Sequence, residues 1–130
     1  MCEFKDTIDT QKYYNFRTAL RKLYDNDTTM CGDLCCKVLE IRDKYRSVES
    51  VSIDIRGYNI SVIIADGTSE SKVQEIMSKI ATAIGYFIVN NRNSVEPSIN
   101  NDPDFDTFIN APNFIFCDIV RVGYTVTFTL

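Results

Sequence analysis

Residues 51–66 read VSIDIRGYNISVIIAD, and here the spacing of the apolar residues shortens from a helical period to a period of two. Apolar residues occupy alternate positions on both sides of an RGYN turn: Val51, Ile53 and Ile55, then Ile60, Val62 and Ile64. Alternation on either side of a short turn that contains glycine is typical of a β-hairpin. The stretch therefore predicts two antiparallel strands. The segments before and after them are considered in turn.

Two helices are predicted before this hairpin. Between Thr10 and Asp25 the apolar residues recur at steps of three and four, at Tyr13, Phe16, Leu20 and Leu23. After the turn-forming residues DNDTTMCG, the same spacing resumes from Asp33, with Leu34, Val38, Ile41 and Tyr45 on one face. Because an α-helix makes one turn in 3.6 residues, this spacing indicates two amphipathic helices.

A third helix is predicted after the hairpin. The DGTSES sequence supplies a turn and then a helix cap, and one helical face follows with Val73, Ile76, Met77, Ile80 and Ile84. Gly85 is well placed to end this helix as a C-cap. The next residues, YFIVN at 86–90, are rich in β-forming types, so we interpret them as a short strand.

Residues 90–113 are predicted to form a long acidic loop. This segment is rich in asparagine and aspartate and contains all three prolines of the chain. Loops of this length are uncommon in compact domains and tend to be functional or mobile. Phe105, Phe108 and Ile109 are spaced to share one helical turn, so part of the segment is expected to fold back on the body of the protein.

Residues 114–130, FIFCDIVRVGYTVTFTL, are predicted to form a terminal strand. Near its end the apolar residues alternate with threonines: Tyr124, Val126, Phe128 and Leu130. We expect this apolar face to pack under a helix, which would hold the last residues in the sheet. The threonine face then meets either solvent or a second subunit.

The predicted order of elements is α-α-β-β-α-(β)-loop-β over residues 1–130. Helices followed by a mainly antiparallel sheet predict a single α+β domain with the helices on one face of the sheet. The chain contains 45% hydrophobic and 25% charged residues, which is ordinary for a soluble globular protein. Its length is also sufficient to bury one core without metals or disulfides.

The charge of the chain argues against nucleic acid as a direct partner. The formal net charge is −4, and the basic residues are scattered among acidic ones instead of forming a stripe that could displace counterions from a phosphate backbone. No apolar stretch approaches the roughly 20 residues that a membrane span needs. The first residues, MCEFKDTIDT, do not have the pattern of a secretory signal. We therefore expect no membrane partner and no secretion by a signal peptide.

The residue types give no support for an enzyme, a cofactor or a metal centre. The chain has no histidine, which excludes histidine-dependent triads, and its five glycines form no phosphate-binding loop. Cys31, Cys35 and Cys36 are clustered, but only Cys117 could complete a zinc set with them, so small buried apolar side chains are the simpler interpretation. Five cysteines without an export signal are expected to be free thiols.

Asp102, Asp104 and Asp106 are spaced like the start of a calcium loop. The rest of the pattern is absent. A calcium loop has glycine at its sixth position and a bidentate glutamate at its twelfth, whereas this chain has Thr107 and Asn113 there. Two interpretations stay open: a solvated acidic loop, or an acidic patch that faces a protein partner. In the second, Phe105 and Phe108 would be aromatic anchors among the acids, as aromatic residues are enriched at interface hot spots.

One combination of segments resembles a known family. A leading helix, the strand ISVIIADG, the capped helix TSESKVQEIMSKIATAIG, a long acidic loop and the terminal strand VRVGYTVTFTL are similar to small neck proteins of tailed phages, of the tail-terminator or tail-completion kind. The resemblance implies an α+β protein that closes a tail tube as a ring of identical subunits, located in the virion or in the host cytoplasm. The helix from Asp33 to Arg46 and the RGYN hairpin depart from it.

The sequence thus predicts a non-enzymatic structural or assembly protein that acts through protein contacts, most specifically a homo-oligomeric component of a phage neck or tail. The alternative is a small acidic phage-encoded inhibitor of a host nuclease or defence complex, whose acidic loop competes with nucleic acid. A small-ligand or enzyme domain that uses carboxylates and tyrosines is a third possibility.

Overall fold

The computed structural model describes residues 10–25, 33–54 and 56–130. The helices are α1 (Thr10–Asp25), α2 (Asp33–Lys44), α3 (Glu70–Asn91), α4 (Pro97–Asn100) and α5 (Pro103–Ile109), with a 3-10 turn at Arg92–Ser94. The strands are β1 (Val48–Asp54), β2 (Asn59–Ile64), β3 (Asp118–Val122) and β4 (Thr125–Thr129). They form one four-stranded sheet in the order β1-β2-β4-β3, and every neighbouring pair is antiparallel. The predicted α+β class is confirmed.

The predicted hairpin is also confirmed over its described residues, and Ile55 lies outside them. In its turn the Gly57 amide donates to the Asp54 side chain at 2.9 Å, and Tyr58 has a φ of 55°. An Asp side chain that accepts from a later backbone amide stabilises a turn locally. The turn sets the register in which Val51 lies opposite Val62 and Ile53 opposite Ile60.

The terminal β-rich run differs from the prediction, because it forms a hairpin of two strands instead of one strand. β3 and β4 are joined by Gly123 and Tyr124, and Gly123 has a φ of 62°. A two-residue hairpin loop requires positive φ, which glycine adopts at little cost. The expectation that the last residues are held in the sheet is confirmed, since the Leu130 amide donates to the Tyr58 carbonyl at 2.7 Å.

The strand and the C-cap predicted around Gly85 are both wrong. α3 continues through Gly85 to Asn91, and Phe87 and Ile88 add to the buried face that already contains Ile80 and Ile84. Gly85 has a packing role instead, because a Cβ atom there would lie 3.0 Å from Cζ of Phe116. The predicted cap at the other end is confirmed, as the Ser69 side chain accepts from the Lys72 amide at 3.3 Å.

Residues 90–113 are not the long loop that the sequence predicted. They contain the 3-10 turn, α4 and α5, and the segment packs on the body through Val95, Phe105, Phe108 and Ile109. The expected helical turn around Phe105 and Phe108 is confirmed. Proline at the first position of α4 and of α5 suits these short helices, because its missing amide would have no partner there.

The buried side chains form one contiguous cluster between the helices and one face of the sheet. Ile60, Val62, Val126 and Phe128 point from the sheet into this cluster, and each is 0% exposed. Aromatic rings join α1 to α5, with the Phe16 ring 5.3 Å from that of Phe105. The helices therefore cover one face of the sheet, as predicted.

Candidate interaction surfaces

The first candidate surface is the acidic segment that the sequence singled out. Asp102 caps α5 by accepting from the Asp104 amide at 3.0 Å. The Nζ atom of Lys12, on α1, lies 3.1 Å from a carboxylate oxygen of Asp102 and 3.0 Å from one of Asp104. The Asp104 amide and then Lys12 lower the pKa of Asp102, while hydrogen bonds to Asp104 and Asp102 raise the pKa of Lys12. This segment is thus tied to α1.

The third predicted acid, Asp106, is tied to the end of α3. It forms an ion pair with Arg92. Arg92 also donates to the side chain of Asn100 at 2.8 Å and lies over the Phe105 ring. The three aspartates therefore lie on a helical segment, two of them paired with Lys12 and the third with Arg92. Their side chains are 19%, 40% and 60% exposed for Asp102, Asp104 and Asp106 in turn.

Phe105 and Phe108 are not on this surface. Both side chains are 0% exposed, and their rings belong to the aromatic cluster with Phe16. The expectation that they project as aromatic anchors is wrong, because burying two large rings contributes more to folding than exposing them would. A contact of the three aspartates with a partner stays a prediction.

The second candidate surface is the face of the sheet turned away from the helices, here called the open face. Residues directly opposite on antiparallel strands point to the same side. The open face includes three such rows: Ser50, Ile63, Thr125 and Val122; then Ser52, Ser61, Thr127 and Val120; and a polar row of Asp54, Asn59, Thr129 and Asp118. Among these, Ile63, Val120 and Val122 are 43%, 55% and 74% exposed. The threonine face named by the sequence is therefore accessible, with apolar side chains beside it.

The two edges of the sheet differ. β1 has an irregularity in its pairing with β2 between Val48 and Ser50, and exposed Glu49 lies within it. A bulge and a charge both discourage a further strand from pairing at an edge. β3 pairs with β4 in continuous register from Asp118 to Val122. Its outer edge is therefore the more regular template, and it borders the exposed valines.

The third candidate surface is a basic groove between the end of α2 and the first half of α3. It is lined by Lys44, Tyr45, Arg46, Ser47, Lys72, Glu75 and Lys79, and its volume is about 670 Å³. The Tyr45 hydroxyl donates to Glu75 at 2.6 Å, and the Lys72 ammonium lies 5.4 Å from the centre of the Tyr45 ring. Sequence reasoning missed this groove, because its basic residues are scattered along the chain and only the fold brings them together.

The cysteines provide no ligand cluster in the described parts of the chain. Cys35 and Cys117 are buried, as the structural interpretation predicted, whereas Cys36 is exposed, and Cys36 and Cys117 are free thiols. Burial is the main cause that raises the pKa of the Cys117 thiol to about 12. The described residues contain no group of three His, Cys, Asp or Glu side chains that could hold a metal ion. Cys2 and Cys31 lie outside the described residues.

None of the described helices combines the length and the apolar character needed to cross a membrane. Comparisons of the chain with protein-family models, with curated proteins and with solved structures find no match.

Proposed function

We propose that this protein is a non-enzymatic assembly component that acts through protein–protein contacts. Most specifically, we propose a neck or tail component of a tailed-phage virion that forms a ring of identical subunits, in the virion or in the host cytoplasm during assembly. The observation that carries the proposal is the open face, where large apolar side chains remain exposed on a well-ordered sheet. Exposed apolar patches rimmed by polar residues are characteristic of interaction sites.

The chemistry of the open face suits a protein partner. Val120 and Val122 can be withdrawn from water without loss of a hydrogen bond, and Thr125 and Thr127 can donate or accept at their margin. Among the described residues β3 is the last strand of the sheet, and its outer edge, beside the same valines, allows a strand of a partner to extend the sheet. Both features favour contacts between folded proteins.

The order of elements gives further support. A leading helix, the strand at residues 60–64, the long capped helix α3, an acidic segment and a strand at the end of the sequence all occur in the structure in the order on which the family resemblance rests. The acidic segment is helical and the terminal strand is half of a hairpin, so the support comes from the arrangement and not from a shared motif.

The test is the oligomeric state of a variant in which Val120 and Val122 are both changed to lysine. We expect the unaltered protein to give one closed oligomer in native mass spectrometry. Val120→Lys with Val122→Lys should give monomers that retain the native circular dichroism spectrum, since buried lysines would carry an uncompensated desolvation cost at the interface.

The matched control changes two exposed apolar residues that lie elsewhere, Tyr86→Lys with Val89→Lys on α3. This variant should assemble like the unaltered protein. The proposal is overturned if the unaltered protein stays monomeric at high concentration and in the presence of isolated neck proteins, or if the Val120 and Val122 variant assembles normally.

The acidic segment carries the alternative function, a small phage-encoded inhibitor that occupies the nucleic-acid site of a host nuclease or defence complex. Asp104 and Asp106 keep 40% and 60% exposed side chains, although Lys12 and Arg92 already neutralise part of their charge. The triple variant Asp102→Asn, Asp104→Asn and Asp106→Asn should then abolish binding to a basic partner. Unchanged inhibition by the triple variant would reject the alternative.

A further inference from the structure

Two surfaces of opposite charge lie beside the two ends of α3, the basic groove and the acidic segment. This helix has 22 residues and therefore extends about 33 Å at 1.5 Å per residue. Its first half contributes Lys72, Glu75 and Lys79 to the basic groove. At its other end Arg92 follows directly and holds Asp106 of the acidic segment. The basic groove and the acidic segment are thus separated by most of the length of the longest helix.

The basic groove has more positive charge than its own residues neutralise. It contains four basic side chains and one carboxylate, Glu75. Glu75 is already occupied by the Tyr45 hydroxyl at 2.6 Å and by the Lys72 ammonium at 3.6 Å. Within the described part of the chain, Lys44, Arg46 and Lys79 form no ion pair. The groove therefore has an excess of three positive charges for an incoming anionic group, although Lys79 also acts on Glu75 and Lys44 lies 5.9 Å from the centre of the Tyr45 ring.

The acidic segment has the complementary excess. Glu96, Asp102, Asp104 and Asp106 lie within one turn-and-helix region, and Lys12 and Arg92 are the cations paired with it. Counted over the described residues alone, two negative charges thus remain without a matching cation there. Glu96 is exposed, and Asp106 is the most exposed of the three aspartates.

We infer that the basic groove of one copy binds the acidic segment of a second copy, end to end along α3. Such a contact joins two different patches, so it repeats from subunit to subunit and closes a ring where the rotation allows. This inference rests on the proposed function. It adds the direction in which subunits follow one another in the ring, with the groove of each subunit on the acidic segment of the next. The charged ends orient neighbouring subunits, and the open face supplies apolar contact area.

A carboxylate-rich protein segment fits the groove better than a nucleic-acid backbone. Outside the groove the chain contains ten basic and seventeen acidic residues, since the whole chain has fourteen and eighteen. A long polyanion would have to pass over this acidic remainder, whereas a short segment with a few carboxylates touches the groove alone.

The test is reversal of charge at each end, followed by mixing. The groove variant is Lys44→Glu with Lys79→Glu, and the segment variant is Glu96→Lys with Asp106→Lys. Each alone places like charges at the contact, so its dissociation constant for self-association should rise at least ~10-fold in 0.15 M salt. An equimolar mixture should restore assembly, because each variant then meets opposite charge at both of its ends.

The control is Lys37→Glu with Arg56→Glu, which changes the net charge equally at exposed positions outside the groove and should leave assembly intact. Circular dichroism of every variant verifies folding, and the groove variant alone decides the outcome if the segment variant does not fold. If the unaltered oligomer persists in the groove variant and in 1 M salt, the end-to-end contact is overturned while the proposed function stands.

A monomeric unaltered protein overturns the proposed function itself, so the two failures are distinguishable.

A further measurement tests whether the basic groove binds the phosphates of nucleic acid instead of carboxylates. Fluorescence anisotropy with a 20-base-pair DNA duplex should show no binding at 0.15 M salt. Binding that disappears in the groove variant would assign the groove to phosphate and overturn the inference.

Discussion

The two faces of the sheet come from the same strands but differ in the exposure and the chemical character of their side chains. On the covered face, Ile60, Val62 and Phe128 are 0% exposed among helical side chains. On the open face, one residue away along the same strands, Ile63 and Thr125 are exposed. Because side chains alternate between faces, one short sequence can supply a folding core on one side and a contact surface on the other. Substitutions should therefore affect stability on one face and association on the other.

The largest effect is expected from Phe128→Ala on the covered face. The ring is fully buried between β2, β3 and the helices, so its loss leaves a cavity as well as removing apolar burial. We expect the free energy of unfolding to fall by about 3–5 kcal/mol. Urea denaturation followed by circular dichroism measures this change. Val120→Ala on the open face is the control and should cost less than about 0.5 kcal/mol; equal losses would erase the distinction between the faces.

Most of the covered side could be predicted from the sequence, because its signals are local. The helical spacing in residues 10–25 and 33–44 predicted α1 and α2, and the period of two predicted the first hairpin. Ser69 was predicted as a cap region because a hydroxyl before an apolar helical face satisfies a free amide. The burial of Phe105 and Phe108 was only half predicted. Their spacing indicated a helical turn, but their acidic neighbours suggested a surface position.

The errors arose where tertiary packing outweighed local preference. YFIVN has β-forming residues, yet Phe87 and Ile88 continue the buried face of α3, and packing that face stabilises the helix more than strand propensity opposes it. Gly85 resembled a helix end, but it is small because Phe116 packs against it. The basic groove could not be predicted, since Arg46 and Lys79 are 33 positions apart and only the fold makes them neighbours.

A second effect is expected at high pH, from a thiol on the covered side. Burial raises the pKa of Cys117 to about 12 from an ordinary 9.0, with Asp118 adding to the increase and Arg17 opposing it. The folded protein therefore keeps a proton that the unfolded chain releases. This contribution to stability is complete below pH 9 and declines as the pH rises toward 12. Burial also raises the pKa of Tyr24, which extends the decline above pH 10.

Cys117→Val tests this directly, with urea denaturation at intervals from pH 7 to pH 11. The variant should lose less stability than the unaltered protein between pH 9 and pH 11, because it has no thiol to ionise when unfolded. Cys36→Ser is the control for the loss of a thiol as such, since Cys36 is exposed. Identical pH profiles for Cys117→Val and the unaltered protein would contradict the prediction.

A third and smaller effect has the opposite sign. The Tyr24 hydroxyl is buried on the covered side and has no hydrogen-bond partner among the described residues. Tyr24→Phe removes this unsatisfied group and keeps the ring, which stacks on Phe87, so the protein should gain about 1 kcal/mol. Tyr13→Phe is the matched control. The Tyr13 hydroxyl donates to the Ile115 carbonyl at 3.3 Å, and its removal should cost about 1 kcal/mol. Thermal denaturation at pH 7 distinguishes the two, and a loss for both would show that Tyr24 has a partner.

The smallest effect on stability, and the most informative about the open face, is expected from Val120→Thr with Val122→Thr. Both side chains are more than half exposed, and threonine keeps their β-branched shape, so the free energy of unfolding should change by less than about 0.5 kcal/mol when measured on dilute monomer. Association should weaken measurably, because a buried hydroxyl without a partner costs free energy at the interface. Sedimentation over a range of concentrations measures it. If stability falls instead and association is unchanged, these valines serve the fold, and the open face loses its role as a contact surface.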